Sequence, residues 1–207
     1  MVSENHKLPD LKTTLNLNSF TTDKQPTGAS DWSTNLLEIL NKIDSEYIIY
    51  FQEDYVFTRS VDENRLAKLL QYIENNKVNY VRFYTAPPGN GSRIEVADEV
   101  AIKEITPGSQ WRTSLMVAVW RKETLQSLLK SAPGIDPWSF EQRVDSNHFD
   151  KFYCLDLPNN DESDILPFIG IYGSSNGYSF YPVAVELLEK EGIKKLNGDN
   201  IDYTIKL

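Results

Sequence analysis

Two neighbouring carboxylates follow the most apolar stretch of the sequence. Glu53 and Asp54 follow residues 46–51, "EYIIYF", with only Gln52 between them, and this run of β-branched and aromatic residues is typical of a buried strand. In open α/β sheets ligands collect outside the carboxyl ends of the strands, so this position favours a ligand site. Carboxylate oxygens there would hold a hard divalent cation together with diphosphate oxygens. The structural alternative is a solvated strand end that carries two acids.

A second group of candidate residues lies in "PGIDPWSFEQR", residues 133–143. Glu141 stands beside Trp138 and Phe140, and an apolar neighbourhood raises the pKa of a carboxylate, which suits it to accept a proton near neutral pH. Asp136 is the second candidate base in this segment. The alternative is an ordinary helix start, in which Asp136 caps the helix and the aromatic residues fill the core.

Two further residues could contact a ligand. His148 lies in "DSNHFD" between Asp145 and Asp150, a set of side chains that can bind a metal ion. A solvated histidine in a loop is the alternative. Trp111, which follows Gln110, either stacks on a sugar ring or fills the core.

The segment "YGSSNGYSF", residues 172–180, offers small polar side chains to a ligand. Ser174 and Asn176 supply hydroxyl and amide groups that could bind a sugar or a phosphate. The segment lacks the spacing of a phosphate-binding P-loop or of a dinucleotide fingerprint. A flexible surface turn explains its composition equally well.

The rest of the sequence predicts the elements that position these residues. Apolar residues at helical spacing predict helices over 30–43, 60–76, 122–131, 137–147 and 183–191. Apolar or alternating runs predict strands over 11–17, 46–51, 78–86, 99–106, 113–121 and 201–207. Ser60 and Glu63 form a predicted capping box for the second helix. Helices that alternate with strands in this way indicate parallel crossovers, and therefore an α/β fold.

Composition excludes several classes of function. The chain has 207 residues, a formal net charge of −9 and an isoelectric point of about 4.8, which argues against binding to nucleic acid or to an anionic membrane. A single cysteine, Cys154, excludes an internal disulfide and a cysteine-based zinc site. No apolar run approaches the roughly 20 residues of a spanning helix, and residues 1–10 lack the apolar core of a signal peptide. We therefore expect a cytoplasmic protein without a transmembrane segment.

Four segments together resemble a known family. In order along the chain they are "DWSTNLLEILNKIDSEYIIYFQEDYVF", "VNYVRFY", "SLMVAVWRKETLQSLL" and "PWSFEQR", within residues 31–143. This order resembles small GT-A-type glycosyltransferases of bacterial surface-polysaccharide clusters and large algal viruses. The resemblance implies a single GT-A-like, Rossmann-related domain over residues 1–207, with a central mixed, mostly parallel sheet flanked by helices.

The resemblance also implies a reaction and a set of roles. It implies transfer of a hexose or deoxyhexose from a UDP-, GDP- or dTDP-sugar to a glycan hydroxyl, with Mn²⁺ or Mg²⁺ as cofactor. Asp54 would bind the metal, Glu53 would lie beside the nucleotide, and Glu141 would be the acceptor-side base. Apart from the resemblance, the residues themselves make His148 a second candidate metal ligand and make Trp138 and Trp111 candidate substrate contacts.

The sequence departs from this family in two respects. The usual D-x-D motif reads "EDY" here, which leaves one aspartate at the strand end. Residues 1–20 look like the second strand region of such a fold, so the first βα unit is either missing or shortened. These departures motivate the alternative function, a catalytically inactive GT-A-like domain that binds carbohydrate or a partner through Trp111 and Trp138.

Overall fold

The computed structural model describes residues 28–52, 55–156, 165–170, 172–173 and 179–180. The helices in these ranges are α1 (Trp32–Lys42), α2 (Glu63–Asn75), α3 (Lys122–Ser131) and α4 (Pro137–Arg143), and a 3₁₀ turn, Ala29–Asp31, precedes α1. The strands are β1 (Tyr47–Tyr50), β2 (Tyr55–Phe57), β3 (Tyr80–Arg82), β4 (Arg93–Ala97), β5 (Val100–Glu104), β6 (Ala118–Arg121), β7 (Phe152–Leu155), β8 (Phe168–Gly170), β9 (Tyr172–Gly173) and β10 (Ser179–Phe180).

Six of these strands form the central sheet, in the order β1-β6-β3-β7-β5-β4. Only the β3–β7 pair is parallel, and the other four neighbouring pairs of this sheet are antiparallel. The predicted α/β class is confirmed, and the sheet is mixed as expected. The expectation that it is mostly parallel is wrong.

The position of β6 explains this error. β6 lies between β1 and β3 and pairs antiparallel with both, so that Val119 has Ile49 on one side and Val81 on the other. β1 and β3 therefore run in the same direction, as a crossover through α2 requires, but they are not neighbours. The strand that separates them comes from a later part of the chain and is buried over Ala118–Trp120.

The two faces of the sheet carry two hydrophobic clusters, because successive side chains of a strand point to opposite faces. One cluster contains Val81 and Val119 and is covered by α2 through Leu69 and Ile73. The other contains Tyr80, Trp120 and Phe152, together with residues of α1, α3 and α4, including Leu40, Leu125 and Phe140. The helix that carries the candidate base therefore packs on the second face.

The predicted helices are confirmed where the structure describes them, but two boundaries differ. α4 ends at Arg143 and not at residue 147, because Val144 takes an extended conformation. The start of α2 also differs. Asp62, not Ser60, is the N-cap, and its side chain accepts a hydrogen bond of 3.0 Å from Arg65 N. The carboxylate also pairs with Arg65 Nε at 2.7 Å. The Asp62 side chain lies directly before the helix and bonds a backbone amide of the first turn that has no partner within the helix. A cap at Ser60 would require the helix to begin two residues earlier.

Several expectations concern residues outside the described ranges. The predicted strands 11–17 and 201–207 and the predicted helix 183–191 fall there, as does most of the loop-rich region after residue 156. Within the described ranges, no helix is both long enough and apolar enough to cross a bilayer.

Candidate functional site

Glu141 is fixed near the second face of the sheet by a short, well-capped helix. Asp136 is the N-cap of α4, Pro137 occupies its first turn, and Phe140 is fully buried. Trp32 of α1 contacts the Phe140 ring edge-on, with 5.4 Å between the ring centroids. This contact anchors α4 and places the next residue, Glu141, against the segment that precedes β6.

The Glu141 carboxylate accepts hydrogen bonds from two donors in that segment. Its Oε1 atom accepts a hydrogen bond of 2.6 Å from Leu115 N and one of 2.9 Å from Ser114 Oγ. Burial raises the pKa of Glu141 above its ordinary value of 4.5, although both hydrogen bonds and the nearby Arg82 guanidinium favour the ionised form. A carboxylate with a raised pKa binds a proton more readily at neutral pH, as a general base must.

Arg82 is close enough to this carboxylate to act on it electrostatically, and it is almost completely buried. Its guanidinium donates to backbone carbonyls, with Nε 3.0 Å from Tyr84 O and Nη1 3.5 Å from Trp111 O. A third bond from Nη2 goes to Pro87 O. The buried positive charge is therefore satisfied by peptide oxygens and contributes to the field at Glu141.

A cavity of about 420 Å³ opens beside Glu141. Its walls are the segment 108–113 on one side and the end of α4 with residues 144–147 on the other. Most of the lining side chains can form hydrogen bonds, among them Ser109, Gln110, Glu141, Gln142, Arg143, Asp145 and Asn147. A concave site lined by hydroxyl, amide and carboxylate groups and one tryptophan offers many hydrogen-bond partners to a polyhydroxylated ligand.

Arg112 ties the two walls of the cavity together. It is 4% exposed, and its guanidinium donates to Ile105 O at 2.9 Å, Ser146 O at 2.6 Å and Phe149 O at 2.9 Å. The same group lies over the Phe152 ring, 4.1 Å from its centroid. A buried cation with this many partners makes the loop 144–149 a fixed wall.

Trp111 lies in the cavity wall in an unusual backbone conformation. Its φ is +58°, in the left-handed region that a bulky residue rarely adopts. The conformation is supported by the turn bond from Ser114 N to Trp111 O, at 3.1 Å, and by the bond from Arg82 to the same oxygen. Strained residues that are held by their surroundings concentrate at functional sites.

The other two candidates of the α4 segment have separate roles. The side chain of Asp136 accepts a hydrogen bond of 2.9 Å from Ser139 N, and this bond lowers the pKa of the Asp136 carboxyl. It is outside the cavity lining and is a weaker base than Glu141. Trp138 is 59% exposed and is not part of the core.

Of the two metal-binding candidates, the structure describes His148 but not Asp54. His148 is exposed, and its ring contacts Phe149 with 4.3 Å between the centroids. No group of three or more His, Cys, Asp or Glu side chains able to hold a metal ion occurs in the ranges that the structure describes. The remaining sequence candidates, Glu53, Asp54, Ser174 and Asn176, lie outside those ranges.

The structure thus brings together Glu141 and Trp111, which lie 30 positions apart in the sequence, in one cavity. It adds Arg82, Arg112 and Ser114, which sequence analysis did not identify. From sequence alone, an arginine in a strand or loop is usually predicted to be exposed to solvent. Arg82 and Arg112 are instead buried and donate mainly to backbone oxygens. A pattern of side chains cannot reveal such partners.

No protein-family model matches the sequence, and no match was found among curated proteins.

Proposed function

We propose that this chain is a glycosyltransferase that moves a sugar from a nucleotide-sugar donor to a glycan hydroxyl. The observation that supports it most is the partly buried Glu141 carboxylate, with a raised pKa, in the wall of a polar cavity that also contains Trp111. The family resemblance and the α/β fold with a mixed sheet are compatible with this function. In this proposal the cavity receives the acceptor, and the domain has the GT-A-like arrangement.

Glu141 acts as the base on the acceptor. Both hydrogen bonds from Ser114 and Leu115 end on Oε1, so we assign Oε2 to the acceptor proton. As the acceptor oxygen bonds to the anomeric carbon of the donor, the bond from that carbon to the diphosphate breaks, and the hydroxyl proton passes to Glu141. The nucleoside diphosphate leaves with the bonding electron pair.

The donor would lie towards the end of β1. Leu115, which contacts Glu141, shortly precedes Ala118, and Ala118 pairs with Tyr50, the last residue of β1. Glu53 and Asp54 follow the last residue of β1 by three and four positions in the sequence. We propose Asp54 as the ligand of Mn²⁺ or Mg²⁺, with Glu53 beside the nucleotide; the cation would offset the charge on the leaving diphosphate.

The experiment that tests the function combines binding and transfer. UDP-, GDP- and dTDP-sugars are titrated calorimetrically into the protein with and without Mn²⁺, and release of the nucleoside diphosphate is then measured with a panel of glycan acceptors. We expect one donor to bind in a metal-dependent way and acceptor-dependent release to follow.

The variant Glu141→Gln tests the role of the base. Glutamine keeps an oxygen that can accept from Ser114 and Leu115 but cannot take the proton, so transfer should fall about 10²- to 10⁴-fold with donor binding retained. Glu74→Gln is the control, because Glu74 is exposed on α2, over the opposite face of the sheet. The absence of metal-linked nucleotide binding would overturn the proposal, and glycan binding without it would favour the inactive carbohydrate-binding domain.

A further inference from the structure

Trp138 is the most exposed large hydrophobic residue in the described part of the chain. Its exposed fraction is 59%, against 49% for Phe57 and 41% for Ile49. The neighbouring Phe140 is completely buried, so α4 is anchored by one aromatic residue and presents another to solvent. Single exposed hydrophobic residues are common on protein surfaces, so the position of Trp138, and not its exposure alone, is what points to a ligand.

Trp138 shares a helix face with two residues of the cavity. Glu141 and Gln142 follow it by three and four positions in α4, and residues at these spacings are neighbours on a helix surface, with Cβ atoms about 5–6 Å apart. Both residues line the cavity beside Trp111. Trp138 therefore lies outside the cavity lining, one helical turn before the two α4 residues that line it.

The composition of this surface indicates what would cover it. The flat indole ring matches the apolar face of a sugar ring, and the adjoining carboxylate and amide groups match its hydroxyls. Gln142, Asp145 and Asn147 at the cavity are all exposed and polar. A protein partner would instead favour further apolar residues around the tryptophan, and the described residues next to it in the cavity lining are polar.

We infer that Trp138 forms an outer subsite for a second sugar, and that the ligand of this cavity is a glycan of at least two residues. The terminal sugar occupies the cavity beside Glu141, and the next sugar stacks on the indole ring. This inference rests on the proposed function for the identity of the inner site and names its acceptor class, an oligosaccharide or polysaccharide chain.

The experiment measures glycan binding as a function of chain length. An array of mono-, di- and trisaccharides of D-glucose, D-galactose, D-mannose and L-rhamnose identifies a binding series, and calorimetry then gives affinities for the wild type, Trp138→Ala and Trp138→Phe. We expect the disaccharide to bind the wild type about tenfold more tightly than the monosaccharide, which corresponds to about 1.4 kcal/mol. In Trp138→Ala the disaccharide should bind no more tightly than the monosaccharide, while Trp138→Phe should retain part of the gain.

Phe57→Ala is the matched control, since Phe57 is an exposed aromatic residue on β2, outside the cavity lining. It should show the wild-type dependence on chain length. Circular dichroism checks that each variant is folded, and sedimentation velocity compares their association states.

Three results would overturn the inference: equal affinity of the wild type for mono- and disaccharides, an unchanged gain in Trp138→Ala, or self-association that Trp138→Ala abolishes. The last result would identify the indole as part of a subunit contact. The proposed function fails separately, through the donor-binding and transfer assays. If no transfer is detected but Trp138→Ala still abolishes the dependence of affinity on chain length, the outer subsite is supported and the glycosyltransferase function is not.

Discussion

The backbone amide of Leu115 donates a hydrogen bond of 2.6 Å to the carboxylate of Glu141 and so joins helix α4 to the chain that enters β6. This contact places an acid in a partly buried position where its charge is only partly compensated. Burial outweighs the favourable donors, and the pKa of Glu141 is raised. The sign of that shift leads to predictions about stability that are independent of the substrate.

The first prediction concerns the pH dependence of folding. Because the pKa of Glu141 is raised in the folded state, proton binding by Glu141 contributes favourably to the free energy of unfolding. This contribution is complete below about pH 4.5, the ordinary pKa, and is lost as the pH rises through the pKa of the folded state. The free energy of unfolding of Glu141→Gln relative to the wild type should therefore increase between about pH 4 and pH 8. The increase should approach about 1.4 kcal/mol for each unit by which the pKa is raised.

Urea unfolding at a series of pH values measures this difference. Glu74→Gln, the same substitution at an exposed position on α2, is the control for the change of residue itself. If the difference in the free energy of unfolding between Glu141→Gln and the wild type were constant across this pH range, burial would not raise the pKa of Glu141.

The second prediction concerns Ser114, which we regard as a positioning residue. Its hydroxyl donates to the ionised Glu141 carboxylate at 2.9 Å, and this bond lowers the pKa of Glu141 against the effect of burial. Ser114→Ala should therefore raise the pKa of Glu141 further. Carbon-detected NMR titration of the Glu141 side-chain carboxyl measures this directly, with Ser131→Ala as a control whose hydroxyl bonds Leu128 O in α3. An unchanged or lower pKa in Ser114→Ala would contradict the assigned hydrogen bond.

The third prediction concerns Arg112, whose guanidinium fixes the wall of the cavity. Arg112→Met keeps much of the side-chain volume but leaves the carbonyl oxygens of Ile105, Ser146 and Phe149 without their donor. Buried acceptors that lose their partners are costly, so we expect the free energy of unfolding to fall by about 2–4 kcal/mol.

Arg143→Met provides the comparison for Arg112, because Arg143 is an exposed residue in the last turn of α4. Its loss should lower the free energy of unfolding by less than about 1 kcal/mol. Denaturant unfolding of both variants gives the two values. Equal effects would show that the hydrogen bonds of Arg112 do not stabilise the loop.

The fourth prediction distinguishes the observed cap of α2 from the predicted one. Asp62→Ala removes the hydrogen bond to Arg65 N and the ion pair with Arg65 Nε, so the melting temperature should fall by about 2–4 °C. Ser60→Ala should leave it within about 1 °C, since the side chain of Asp62, not of Ser60, caps the helix. Thermal unfolding followed by circular dichroism measures both, and a larger effect at Ser60 would favour the capping box.

Local features of the fold were predictable from the sequence. The helices at 30–43 and 122–131 correspond closely to α1 and α3, because each has an apolar stripe at helical spacing and clear boundaries. Strands β2, β4, β7, β8, β9 and β10 were missed. β4 carries Arg93 and Glu95 at the edge of the sheet, and such charged edge strands lack the apolar pattern that identifies a central strand.

The pairing of strands was less predictable than their existence. Nothing near β6 in the sequence indicates that it separates β1 from β3, because pairing between distant strands depends on the packing of the whole sheet. The candidate site shows the same limit. Glu141 and Trp111 were identified by their residue types, but their shared cavity depends on Arg82 and Arg112, which bind carbonyl oxygens.

The insertion of β6 between β1 and β3 also has a consequence for how the protein is made. On the ribosome α1, β1, α2 and β3 emerge before β6, yet β1 and β3 share no ladder and each pairs with β6 in the central sheet. Joining β1 to the rest of this sheet therefore waits until synthesis has passed residue 121, while the apolar faces of the earlier helices await their partners. A nascent chain that ends before β6 is consequently a candidate client for chaperones, although every residue of β1 and β3 is already present.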